Sequence, residues 1–181
     1  MDYSDTEPSD KPVLIIVTNS LGGTATFDEN KRYRYGLTRR WATSCDNSKQ
    51  VTFIMLNPSQ ADADRDDPTI RACSQFAQGW GYGHLNVVNL FAYRSPHPSA
   101  LKQTPDPVGP ANDRYLVAAA ESADRVILAW GNWGQLLNRA QAVINLLQPH
   151  RQKLYYLMRN HSDQPRHPLY IKRTTQPKPW P

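Results

Sequence analysis

The sequence predicts an α/β domain with a mainly parallel central sheet of about four strands, plus an N-terminal β-hairpin. Three observations lead there. Apolar runs of strand length recur as VTFIML (51–56), LNVVNL (85–90), RVILAW (125–130) and KLYYL (153–157), the pattern of strands buried on both faces. Segments of helical character separate most of them, which implies crossover connections and parallel pairing. A length of 181 residues, 39% hydrophobic and 20% charged, suits one core of ordinary size.

Along the chain, residues 1–12 read as a disordered leader, acidic and broken by Pro8 and Pro12. Residues 13–181 then form a single α/β domain. VLIIV (13–17) is strand-like, and 24–27 with 33–37 make the hairpin, turning at Asp28-Glu29-Asn30. Asp67-Pro68 has the form of a helix cap and first helical residue, opening a helix to about Trp80. Residues 112–123 are Ala-rich and helical, and 135–147 read as a further helix with Pro149 just beyond it.

Several protein classes are set aside. No apolar run approaches the ~18 residues of a membrane span. The acidic start lacks the basic and apolar segments of a secretory signal. Two cysteines, Cys45 and Cys73, make neither a disulfide framework nor a four-thiolate zinc site. The expectation is a cytoplasmic protein without a membrane partner. Its oligomeric state is not legible.

The net charge of +5 is unevenly placed. Residues 150–181 carry seven Lys or Arg against Asp163 alone, and Lys31-Arg32-Tyr33-Arg34-Tyr35 with Arg39-Arg40-Trp41 interleaves cations with aromatics. Such patches attract phosphates and stack on bases. They also arise as solvated surface with Arg–aromatic packing, an equally weighted reading.

In open parallel sheets the site lies beyond the carboxyl ends of the strands. That rule singles out Asn57-Pro58-Ser59, the stretch from Asn89 to Arg94, Gly131-Asn132, and the chain after Leu157. Asparagine offers a donor and an acceptor, so Asn57 and Asn89 suit holding a water or reading a base edge. His167, in Arg166-His167-Pro168-Leu169-Tyr170, suits stabilising an oxygen that gains charge. Each residue has a plainer role too, in a turn, a cap or the surface.

In order, these segments resemble the uracil-DNA glycosylase superfamily. MLNPS (55–59) is similar to its first motif, VVNLFAYR (87–94) to the strand whose terminal Asn reads the base, RVILAWG (125–131) to the strand before the last motif, and RHPLY (166–170) to the closing His-Pro motif. The resemblance implies a three-layer α/β/α fold and an N-glycosidase without metal or other cofactor. Asn57 would position the attacking water, Asn89 would bond the base, and His167 would stabilise charge on a base oxygen. Pro58, Ser59 and Tyr170 would complete the base pocket. Arg34, Arg94, Arg166 and Lys172 would meet the nucleic-acid backbone. The partner would be nucleic acid, with DNA favoured over RNA, or a nucleotide. Met55 and Ser59 depart from the superfamily by replacing glycines. The whole chain also resembles a bacterial and phage family of unknown function, on MLNPSQADADRDDPTIRAC, VVNLFAYR with DPVGPAND, and RHPLY. That family brings no activity with it.

Other readings stay open. A binding module of the same fold would hold a base or nucleotide without cleaving a bond. Asp62, Asp64 and Asp66 suggest a metal-assisted hydrolase if they converge on Mg²⁺, and Asp67 is explained as a cap. Ser59 lacks a nucleophile elbow. Cys73 and Trp130 read as core residues. The motifs also fit a domain in which they only fold the sheet.

Overall fold

The structure is a computed structural model that describes residues 13–20, 22–41 and 48–181. The expected leader at 1–12 and Cys45 lie outside the described residues. The main elements, in chain order, are β1 (Leu14–Thr18), β2 (Thr24–Asp28), β3 (Arg34–Arg40), β4 (Gln50–Met55), α1 (Pro68–Gly79), β5 (His84–Asn89), α2 (Asn112–Ser122), β6 (Arg125–Leu128), α3 (Arg139–Leu146), β7 (Leu154–Tyr156) and β8 (Lys178–Pro179). The strands form an eight-stranded mixed sheet in the order β1-β2-β3-β5-β4-β6-β7-β8.

The expected four strands are its parallel centre: β4 pairs in parallel with β5 and β6, and β6 with β7. The sheet does not stop there, which corrects the reading of a mainly parallel four-stranded sheet. The β2–β3 hairpin is part of it, because β3 runs antiparallel along β5, pairing Leu37 with Val87 and Arg39 with Leu85. β1 extends that side, and β8 caps the other edge against β7. Pairing in this way covers backbone groups that an edge would leave open. β3 runs past the expected 33–37 to Arg40, and β8 is hard to read because KP lacks an apolar run.

Neighbouring residues of the central strands feed opposite faces, as the strand pleat requires. Phe53, Val87 and Ile127 pack with Ile70, Cys73, Phe76 and Ala77 of α1. Ile54, Val88 and Leu128 pack with Leu116, Ala119 and Ala120 of α2 and Ala140 and Val143 of α3. Cys73 is fully buried, and burial pushes its thiol up.

Local chemistry fixes the helix starts. Asp67 caps α1, its Oδ1 accepting from the Ile70 amide at 2.9 Å, with Pro68 at the first position. The helix expected over 135–147 begins later. Residues 132–138 form short 3-10 turns instead, with Leu136 extended and Leu137 and Asn138 at φ 52° and 53°. These turns pass over Trp130, which lies so close to Gly134 that a Cβ there would come 2.2 Å from its Cδ1. Arg139 then opens α3, donating from Nε to the Leu90 carbonyl at 2.8 Å and pairing with Asp113 of α2. Among the described residues no helix is long and apolar enough to cross a membrane.

Candidate functional site

A cleft of about 1100 Å³ opens where the parallel strands end, and side chains from every one of those ends line it. Asn57 lies two residues beyond β4, and Asn89 is the last residue of β5. Gly131 follows β6, where φ 76° turns the chain sharply and favours a residue without Cβ. His167 arrives on a loop after β7. That loop doubles back through Asn160 N to Gln164 O and Arg166 N to Met158 O, both 2.8 Å. It is clamped to the end of β6 by Gly131 N donating to Pro165 O at 2.8 Å and Trp130 Nε1 to Gln164 Oε1 at 2.9 Å. Asn57, Asn89 and His167 therefore share one cleft.

Their surroundings differ. Asn57 donates from Nδ2 to the carbonyls of Ser95 at 2.9 Å and Pro58 at 3.1 Å, which ties the loop after β4 to the loop after β5. Its Oδ1 has no donor among the described residues, leaving an acceptor for the cleft. Asn89 is 2% exposed, and its Nδ2 has no hydrogen-bond partner. A buried amide left unpaired costs about 1–3 kcal/mol, so it calls for a ligand or a water. His167 accepts from the Leu169 amide at Nδ1, at 3.3 Å, which puts the ring proton on Nε2. Burial lowers its pKa below the ordinary histidine value while Asp67 acts in the opposite sense. The neutral ring is thus favoured at pH 7 and offers one N–H.

The remaining expected site residues divide. Ser59, Arg166 and Tyr170 line the cleft, Tyr170 exposed and with its ring 5.8 Å from that of His167. Pro58 is buried and contributes its carbonyl, to Asn57 and to the Ser95 amide. Arg94 lies outside, in a shallow depression beside Lys31 and Arg32, donating to the Lys31 carbonyl and lying over Phe27. Lys172 is exposed and not on the cleft wall.

Arg34 is placed differently from a surface phosphate contact. It lines the cleft at 2% exposure, beneath the loop after β4, with Nη1 on the Ala61 carbonyl at 2.6 Å and Nε unpartnered. Burial pulls its pKa down to about 10, with Asp67 opposing, so the group stays charged at neutral pH. Two further wall residues, Asp67 and Trp133, were readable only as a cap and part of a turn. A tryptophan just beyond a strand end, in Gly131-Asn132-Trp133, was the available signal.

The acidic loop and the basic hairpin meet each other. Arg39 donates to Asp66 from Nε and Nη2 and to the Asp62 carbonyl, while Asp62 Oδ1 accepts from the amides of Asp64 and Arg65. These acids hold the loop in shape, and among the described residues no three metal-ligating side chains gather. Much of the basic tail is also engaged. Arg159 pairs with Asp163 and lies over Tyr156 and Trp180, and Arg173 bonds Gln75 and two carbonyls above Phe76.

A mixed α/β protein with a donor-rich cleft at the ends of its parallel strands is the class that fold and site define. The chain belongs to the family described as protein of unknown function DUF1643, whose model matches residues 34–169. The match takes in β3 through the His-Pro turn, and so every strand end that builds the cleft. No curated protein and no solved structure matches the chain.

Proposed function

We propose that the cleft binds a nucleotide or a nucleic-acid base with its sugar and hydrolyses the base–sugar bond, as an N-glycosidase resembling uracil-DNA glycosylases. The observation that carries the reading is the buried, unpartnered Nδ2 of Asn89 in the cleft shared with Asn57 and His167. An asparagine amide presents a donor and an acceptor side by side and so complements the C=O and N–H of a base edge. Asn57 Oδ1 would accept from the water that attacks C1′. As the C1′–N bond breaks, its electron pair passes to the base and the water adds its hydroxyl to C1′. The proton released ends on the base. His167 Nε2–H would donate to the base oxygen that gains charge, a task for which a neutral imidazole is suited. Tyr170, at the rim, offers a face for the base or its neighbour to stack on.

The test is release of free base, or formation of abasic sites, from nucleotides and from single- and double-stranded oligonucleotides. The panel carries uracil, hypoxanthine, xanthine, mismatched thymine and oxidised pyrimidines. Release that disappears in Asn57→Ala supports the reading, and no release from folded protein overturns it. The second reading, binding without cleavage, is favoured by one observation: the Asn57 amide is tied to backbone carbonyls and so also serves the loop. Saturable binding of a panel member that survives Asn57→Ala, without release, distinguishes it.

A further inference from the structure

Three arginines of the described chain are buried: Arg34 at 2%, Arg139 at 7% and Arg39 at 9% exposure. Arg39 is neutralised by Asp66 at 2.7 Å, and Arg139 pairs with Asp113. Arg34 alone of the three has no carboxylate within ion-pair distance, and it alone lines the cleft. Taking a guanidinium out of water without a counter-charge is costly, and folds keep such groups paired. Here the fold supplies one carbonyl, Ala61, and leaves Nε with nothing. Asp67 acts on Arg34 through space, but one of its oxygens is held by the Ile70 amide at the start of α1. Two other cleft residues add to the pattern: Asn89 Nδ2 is orphaned, and Arg166 brings a further cation to a wall whose other arginine, Arg159, is paired with Asp163.

We infer that Arg34 is the floor of an oxyanion subsite, built to take a terminal phosphate or a carboxylate carried by the ligand. This deepens the nucleotide reading and rests on it for the rest of the ligand. A guanidinium reached only inside the cleft suits an oxyanion at the end of a molecule, because an internal phosphodiester would have to bring two chain directions down with it. The class of substrate is therefore a nucleoside monophosphate, or a strand end, ahead of a base inside a long duplex. Arg34 would donate from Nε to the anion, and charge-assisted bonds of this kind are the strong ones.

Titration calorimetry at constant ionic strength tests this on the intact protein. Inorganic phosphate is the first probe, expected to bind saturably. Arg34→Gln should abolish that binding and Arg34→Lys should weaken it without abolishing it. Circular dichroism confirms that each variant is folded. A second arm needs no variant: a nucleoside 5′-monophosphate should bind at least about tenfold more tightly than its nucleoside, the order expected for one charge-assisted contact. Acetate and an oligonucleotide without terminal phosphates complete the set and separate a carboxylate or a strand phosphate from a terminal one. No saturable binding of phosphate or acetate, or anion binding unchanged in folded Arg34→Gln, overturns the subsite. Phosphate bound through Arg34 with no gain for the monophosphate over the nucleoside keeps the subsite and removes the nucleotide reading.

Discussion

The role proposed for His167 rests on one proton. Its Nδ1 accepts a backbone amide, so the Nε2–H is free for the cleft, and burial holds the ring below the usual histidine range. The expected NMR titration of His167 has its midpoint below the ordinary value of ~6.5. The sign for stability follows, because between the two midpoints the unfolded chain binds the proton and the folded one does not. This contribution is complete above ~6.5 and is lost as pH falls toward the folded-state midpoint. Chemical denaturation of the parent against His167→Gln across that window checks it, and equal slopes would contradict it. Asn89 makes a sharper case. Because Nδ2 has no protein partner, Asn89→Ala should leave stability within about 1 kcal/mol of the parent. Ligand affinity should drop about tenfold. A loss of several kcal/mol in a denaturant melt would mean that the side chain serves the fold. Both residues were legible from one rule, that sites lie at strand ends. The burial of Arg34 was not, because a hairpin arginine among aromatics reads the same whether it faces water or a cleft.

At the scale of elements, short apolar runs and a cap located most of the fold. VTFIML, LNVVNL, RVILAW and KLYYL all became parallel strands, and Asp67-Pro68 opens α1. Residues 135–138 went the other way. They were expected to open a helix, yet Leu137 and Asn138 take left-handed values and the turn folds around Trp130. Local propensity is a weak prior when a large ring must be accommodated. The same contact gives an expected outcome: Gly134→Ala drives a methyl into Trp130, and overpacking of this kind costs about 1–3 kcal/mol. A denaturant melt followed by circular dichroism reads the loss. An unchanged midpoint would show that the ring moves aside freely. β8 escaped the sequence because its partner, not its own pattern, makes it a strand, whereas β3, expected as the second strand of the hairpin, was missed only in its extension to Arg40 and its pairing with β5.

Across the molecule, opposite charges that look like two surface sites prove to be one internal fastening. Arg39 reaches from β3 into the acidic loop and holds Asp66 and the Asp62 carbonyl, and Arg34 holds the same loop at Ala61. The loop borders the cleft through Ser59 and Asp67 at its two ends, so its anchoring links stability to site geometry. Asp66→Asn should cost about 1–3 kcal/mol by leaving a mostly buried guanidinium without its carboxylate. It should also weaken ligand binding without touching the ligand. Paired melts and titrations of this variant check both, and unchanged binding would uncouple the loop from the cleft. Linear patterning separates the basic and acidic stretches and gives no hint that they pair, since the pairing depends on β3 lying beside β5. The account rests most directly on two polar atoms that the protein leaves unpaired, Arg34 Nε and Asn89 Nδ2. A crystal structure grown with a saturating nucleoside 5′-monophosphate tests it. The expected result places both atoms within about 3.2 Å of the bound molecule. A cleft in which both meet only protein groups or ordered water would contradict it.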